Sequence, residues 1–550
     1  MTPPKLILPA ALAALATLTA FGLAAQTPVL MNRYDAFTTG ANTRETTLTA
    51  ANVGGARFGK LYSYYVDGAV YAQPLYMPGL RVAGQPPRNE VFIATMTDKV
   101  YAFDADQPGP PLWLRDLTNE LASVTPVPVI DITNRNDLNV VGTAGILGTP
   151  VIDPAANALF LVARTKEVAR TKEAARNKEA ARYVQRLHRL DLRTGKDQLP
   201  PVEIEAAVPG SAKDAVNGLV RFDPKLGNQR PALALVFDQR ARGMVIVAWA
   251  SHEDIQPYHG WVMAYDAATL KQAAVFCVTP DGPMGGIWQS GRGPAVDAAG
   301  NIYFETGNGH FDGKRNFGTS LIKLSLGELG PGKTGFSVVD FFTPHDFEAL
   351  NDRDADLGST GPLLIPGTTL LLCGNKKGIL YLIDSRNLGR ITPDDKGVLQ
   401  SVEVKGGRDL AGPAYWDGDG GPAIYLWTEA DVLKAFRFDG KRLDPTPFAK
   451  GTTPSKGSPG GALTISSDGK KAGTGIVWAM LTNGKSADAG NAPGILYAYD
   501  AAALHPLWNS EQKPKRDRLG TLVKFVPPLV VGGKVYAPNY DNAVNVYGIP

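Results

Sequence analysis

Cysteine is scarce in this chain. Only Cys277 and Cys373 occur in 550 residues, and neither sits in a C-x-x-C-H run, which excludes a covalently attached c-type haem. Both lie in apolar, strand-like surroundings that belong to different repeats, so they are expected to be buried free thiols and not a disulfide. An excess of one charge is also missing. A formal net charge of +3 gives no reason to expect nucleic-acid binding, and the basic run 513–518 reads as a solvated loop. The signatures G-x-S-x-G and H-E-x-x-H are absent. Six histidines are present, and His252, His259 and His310 fall in loops expected on one face, but they lack the tight spacing of a transition-metal site. Long apolar runs are missing too, apart from one at the start. There Lys5 precedes an Ala- and Leu-rich stretch, 6–23, followed by small residues. Residues 1–25 therefore read as a signal peptide, with a periplasmic or secreted product and no membrane span after cleavage.

What is abundant is turn material among apolar strands. Hydrophobic residues make up 44% and charged residues 20%, a globular balance, while 60 Gly and 42 Pro are spread along the chain at turn-like positions. One phrase recurs, an apolar run with an aromatic residue closing on Asp. It reads Val100-Tyr101-Ala102-Phe103-Asp104, Val262-Met263-Ala264-Tyr265-Asp266, Leu380-Tyr381-Leu382-Ile383-Asp384 and Leu496-Tyr497-Ala498-Tyr499-Asp500, with weaker copies ending at Asp191, Ser325, Arg437 and Gly548. A second β-rich run precedes each copy. Strands in groups of three or four, repeated eight times, predict an all-β, eight-bladed β-propeller of four-stranded antiparallel blades. The eighth group holds three strands, and the strand-like segment 58–66 supplies the fourth, closing the ring and removing its exposed sheet edges. Residues 26–57 form a lead-in segment and 58–550 the propeller. Within blade two, 163–182 repeats a six-residue unit of strong helix formers with Glu/Arg pairs three apart, which predicts an exposed helical insertion over 164–182.

The Asp-Ala phrase endings, with Trp113 and Trp508 eight or nine residues further on, resemble the repeat of pyrroloquinoline quinone (PQQ) propellers over nearly the whole of 58–550. The central repeats are similar to PQQ-dependent alcohol dehydrogenases. Ile302-Tyr303-Phe304-Glu305-Thr306-Gly307-Asn308 resembles the family's strand ending in a calcium-binding Asn. Thr343-Pro344-His345-Asp346 followed by Asp354-Ala355-Asp356-Leu357-Gly358 resembles the stretch with the proposed catalytic Asp, matched to Asp354. Asn375-Lys376-Lys377-Gly378 resembles the turn whose basic residue touches the quinone oxygens, matched to Lys376. Gly285-Gly286-Ile287-Trp288 loosely resembles the segment with a cofactor-stacking Trp.

The resemblance implies PQQ and calcium as cofactors. Asp354 would be the catalytic base, Trp288, Lys376 and Asn308 would hold the cofactor, and Asn308 with Asp354 would be oxygen ligands to the metal. Antiparallel topology independently sends all four to one face, because loops after second strands and loops between blades open on the same side. The chain departs from the family in having no adjacent cysteine pair. The expected calcium-binding Glu of blade two falls in the repeat insert, where Glu167, Glu173 and Glu179 compete. The implied activity is oxidation of a small alcohol or sugar with a separate electron acceptor. The alternative is a non-catalytic propeller scaffold that binds envelope proteins or glycans.

Overall fold

The computed structural model describes residues 27–133, 140–168, 181–237, 242–330, 333–404, 412–487 and 490–550. Among the described residues, eight blade sheets succeed one another along the chain, with a small two-stranded sheet, Ala207–Pro209 with Leu219–Arg221, between blades two and three. In blade three, for example, Ala234–Phe237, Gly243–Trp249, Trp261–Asp266 and Gln272–Cys277 pair in order as antiparallel neighbours. The recurring phrases of the sequence are the third strands, such as Lys99–Asp104, Ile379–Asp384 and Ala543–Gly548. Trp113 and Trp508 lie on the fourth strands of blades one and seven. Cys277 and Cys373 are free and buried, in blades three and five. Alternating side chains pack between neighbouring sheets, as where Trp249, Trp261 and Tyr265 meet Phe160, Val162 and Leu187 across blades three and two.

The ring closes as the repeat count requires. Gly59–Tyr65 is the fourth strand of blade eight, antiparallel to Ala543–Gly548. The basic run lies beside it. Pro514–Asp517 forms a short helix in which Arg516 donates to Phe58 O at 2.7 Å, and the buried Asp517 accepts from the Lys60 amide at 2.9 Å. The basic residues Lys513, Lys515, Arg516 and Arg518 are exposed, as the solvated reading of 513–518 expects, but 514–517 are a helical turn and not a loop, and Arg516 with Asp517 latches the closing strand.

The helical insertion is corrected at its two ends only. Arg164 to Glu167 and Arg182 are strand, within Ala158–Glu167 and Arg182–Asp191, which pair from Arg182↔Glu167 down to Asp191↔Ala158. Helix propensity favours a good former by only a few tenths of a kcal/mol per residue, whereas this hairpin gains a ladder with further support. Val124–Pro126 pairs along its other edge, and Arg186 donates to Glu167 at 2.5 Å across it. The remainder of the repeat, with Glu173 and Glu179, lies outside the described residues.

The lead-in segment has a role that its composition did not reveal. From Val29 to Asn42 it runs round the propeller axis and meets the innermost strands in blade order. Val29 pairs with Tyr76 of blade one, and the carbonyls of Leu30, Ala36, Phe37, Thr39 and Gly40 accept from Ile152, Val296, Leu364, Tyr415 and Ile465 at 2.7–3.0 Å. The Asn42 side-chain Nδ2 then donates to Val530 O at 2.9 Å in blade eight. Inner strands would otherwise leave these N–H groups unpaired around a channel. Following so tight a circle needs sharp bends, and Arg33, Tyr34 and Thr38 hold left-handed φ values of 63°, 75° and 59°. At Gly40 (φ 73°) a Cβ would strike the Arg33 guanidinium at 2.3 Å.

Arg33 pins this strap. Its Nη2 donates to Pro413 O at 3.0 Å and its Nη1 to Leu463 O, so one buried side chain ties blades six and seven. Hydrogen bonds from charged donors contribute about 1.5–3 kcal/mol each. Arg33→Met should therefore lower stability by at least about 2 kcal/mol, read as a lower urea midpoint at unchanged slope. An unchanged midpoint would mean that the strap is ornamental.

Candidate functional site

Four loops on one face supply the candidate site. Asn308 follows the second strand of blade four, Ile302–Glu305, and Lys376 follows that of blade five, Leu370–Gly374. Trp288 precedes blade four, while Asp354 and Asp356 lie just after the short helix Phe347–Asp352 that leads into blade five. That helix is tied to the Asn308 turn by Asn351, whose side chain donates to Gly309 O at 3.1 Å and accepts from the Thr319 hydroxyl at 2.5 Å. The loops also touch backbone to backbone. Gly307 N donates to Gly286 O at 2.8 Å, and a Cβ at Gly358 would lie 2.8 Å from Gly307 N and 2.9 Å from Trp288 Nε1. Only glycine permits that approach.

All four residues singled out from the sequence meet here. The Lys376 ammonium lies 2.8 Å from Asp354 Oδ1 and 2.8 Å from Asp356 Oδ1. Asn308 Nδ2 donates to Asp354 Oδ1 at 2.8 Å, and Trp288 Nε1 donates to Asp356 Oδ2 at 3.2 Å. Lys376 Nζ also sits 5.2 Å from the centre of the Trp288 ring. Burial opposes charge on Lys376, but Asp356 and then Asp354 outweigh it, so the ammonium holds its proton more tightly than an ordinary lysine.

Asp356, in the quoted motif but given no role, is the hub. Its side chain is 2% exposed, against 57% for Asp354. Asp356 therefore anchors the lysine and the indole, while Asp354 offers its free Oδ2 to solvent. Asp354 adopts φ 52°, Asp254 φ 54° and Phe525 φ 68°. For a ring as large as Phe525 that backbone is a true outlier, of the kind that gathers at functional sites.

The walls hold residues that the sequence reading missed. The buried Arg230 guanidinium stands 5.7 Å from the Trp288 ring, 4.8 Å from Phe525 and 5.6 Å from Tyr71, and it donates to Tyr71 Oη at 2.9 Å. Lys524 lies 5.5 Å from Phe525. Asp254 accepts from Tyr258 Oη at 2.5 Å and from Ser251 Oγ at 3.2 Å. Desolvation, with Asp356 and Asp354 nearby, raises the Asp254 pKa. Arg230 lies in no recognisable motif, and only the fold brings it over the axis.

Two observations bear on a bound cation and a planar cofactor. Asn308 Oδ1 is buried with no partner, an oxygen left for a ligand such as calcium. Trp288 flanked by Arg230 and Lys376 suits a flat aromatic group with several carboxylates. Against these stands blade two. Phe160 and Leu372 pair with equivalent inner-strand residues, so four residues on, Arg164 takes the position of Lys376. Arg164 donates its amide to Asp98 at 3.1 Å and meets His252 Nε2 at 2.7 Å. Glu167 is held by Arg186 in a cleft between blades one and two, so it is not the sought ligand. Among the described residues, no group of three His, Cys, Asp or Glu side chains is placed to hold a metal. His259 is engaged by Asp214 and Thr279.

Just below the site, burial pushes the Glu305 carboxyl well above the ordinary value of 4.5, although Gly361 N donates to it at 2.8 Å. Burial thus favours the protonated form of this carboxyl. A raised folded pKa stabilises below the unfolded value and loses that contribution as pH climbs through the folded one. The stability of Glu305→Gln relative to the parent should thus rise between pH 5 and pH 8, measured as paired melting curves. A difference flat with pH would show an ionised Glu305.

No protein-family model and no curated protein matches the chain. Solved structures do. Quinohemoprotein alcohol dehydrogenase ADHIIG from Pseudomonas putida HK5 superimposes with a TM-score of 0.55 at 14% identity, covering 95% of this chain and 80% of that one. The quinohemoprotein alcohol dehydrogenase of Comamonas testosteroni gives 0.52 at 14% identity with the same coverage. A europium-containing methanol dehydrogenase gives 0.55 at 12%, covering 95% and 98%. The chain thus has the eight-bladed propeller fold of the PQQ-type alcohol dehydrogenases, to which its repeats pointed.

Proposed function

We propose that this protein is an exported quinone-dependent dehydrogenase of small alcohols or sugars, with PQQ and a metal cation bound where Trp288, Asn308, Asp354 and Lys376 converge. One observation carries the reading. Four residues chosen from sequence resemblance, from four separate loops, fall within one set of contacts around Asp356. Shared fold does not by itself imply shared chemistry, and this convergence is evidence at the level of the site.

Each residue has a task that its geometry suits. Trp288, fixed through its indole N–H by Asp356, provides an aromatic face. Arg230 and Lys376 beside that face balance the carboxylates of PQQ. The Asn308 Oδ1 and an Asp354 oxygen would hold the cation, calcium by family likeness. PQQ, when bound, supplies the two-electron acceptor that no side chain can replace. Asp354 keeps Oδ1 on Asn308 and Lys376, which aims Oδ2 at solvent to take the proton of a substrate hydroxyl. Lys376, retaining its proton, donates a charged hydrogen bond to an oxygen that gains negative character. Electrons leave to a separate acceptor, since no haem attachment motif is present.

The test is reconstitution of the mature protein with PQQ and calcium, and in parallel with Eu³⁺ because one similar structure is described as europium-containing. Binding is followed by quenching of tryptophan fluorescence and turnover by dye reduction over an alcohol and sugar panel. Asp354→Asn should still bind PQQ yet lose at least about 100-fold in kcat, the scale of a general base. A parent protein that binds no PQQ with either ion would overturn the reading and leave the scaffold for envelope proteins or glycans.

A further inference from the structure

Away from the axis, a second cavity of about 580 Å³ opens between blades one and two. Ligand pockets commonly span about 300–1,000 Å³. Its walls are the outer strand of blade one with Arg115 and Asp116, the 117–124 segment, and the blade-two hairpin with Thr165, Glu167, Arg186 and His188. Thr165 and Glu167, within the stretch that sequence reading assigned to a helix, therefore line one side of it.

The polar groups are held in donor–acceptor pairs. Asp197 bridges the cleft, accepting from Arg115 Nη2 at 2.6 Å and lying 2.9 Å from His188 Nδ1. Binding of the ring through Nδ1 leaves Nε2 for a ligand. Arg186 donates to Glu167 at 2.5 Å. At the floor Thr165 is 4% exposed and His188 6%. Arg115 Nε is buried and has no partner, a donor left over after the ion pairs are made. Burial works against ionisation of Asp197, yet His188 and Arg115 outweigh it and keep the carboxylate charged.

The lining narrows the ligand chemistry. Two guanidinium groups face three carboxylates, so the cavity has no positive excess for phosphate or sulfate. Among the described residues no Phe, Tyr or Trp lines it, and its apolar members are Leu117, Val124, Ala163 and Pro201, too few for a lipid or a flat hydrophobic molecule. What fixed, paired donors and acceptors do recognise is a vicinal diol, in which each hydroxyl donates once and accepts once. We propose that this inter-blade cavity is a binding site for neutral sugars, with Arg115, Thr165, Arg186 and His188 reading hydroxyl groups. It is separate from the axial site and independent of whether PQQ is bound there.

The test uses the mature full chain without added quinone. Calorimetric or NMR titration with a panel of neutral gluco-, galacto- and manno-configured mono- to trisaccharides should give saturable binding of at least one at millimolar concentration. Arg115→Met and Thr165→Val should each weaken it roughly tenfold, about 1.4 kcal/mol, while melting temperatures stay near the parent's. Asp354→Asn, in the axial site, should bind the sugar as the parent does. Three results would overturn the proposal: no member of the panel binds, binding is indifferent to both cavity variants, or inorganic phosphate binds in preference to sugar.

Discussion

The antiparallel pairing of Gly59–Tyr65 with Ala543–Gly548 is the contact on which the rest of the molecule depends. It turns a row of eight sheets into a ring, and only a ring gives loops from distant parts of the chain a common axis to meet on. Without closure, blade eight would lack an outer strand and present an open ladder of N–H and C=O groups. The closing strand is braced accordingly. Phe58 packs on Trp508 at 5.0 Å, and Arg516 and Asp517 grip the backbone on either side of it.

Closing a ring creates a second problem at its centre, where inner strands leave polar edges facing one another. The strap solves it by adding one chain to all but one of the blades in turn. Its cost is a concentration of buried positive charge. Arg33 and Arg292 both donate to Pro413 O, at 3.0 and 2.7 Å, and desolvation and mutual repulsion lower the Arg292 pKa well below the usual guanidinium value. Arg230 adds a third cation one layer nearer the face. Carbonyl oxygens and ring faces stabilise these groups in place of paired carboxylates. An axis so charged is disposed toward a ligand that carries negative charge, in keeping with the proposed cofactor.

Within the site, the division of labour between two aspartates two residues apart follows from exposure alone. Asp356 is enclosed and spends both oxygens on Lys376 and Trp288, so it orders the site and cannot reach a substrate. Asp354 has the same neighbours at one oxygen and solvent at the other. Sequence resemblance pointed to Asp354, and the structure sets it beside Asn308 and Lys376. The resemblance had no means of weighing Asp356, because a D-x-D spacing does not say which side chain turns inward.

By itself the sequence determined the repeat number, the third-strand phrases, the closing strand and the face on which Asn308, Asp354, Lys376 and Trp288 emerge. These are legible because strand alternation and turn residues are local, and antiparallel order fixes loop direction without further information. Only tertiary structure decided the strap around the axis, the reach of Arg230 over Trp288, the hairpin in place of a helix at 164–167 and the latch at Pro514–Asp517. Each of these depends on partners hundreds of residues away, as in Arg33 bonding at Leu463 or Arg516 at Phe58. Local propensity amounts to tenths of a kcal/mol per residue and yields to ladders and buried charge contacts of a kcal/mol or more.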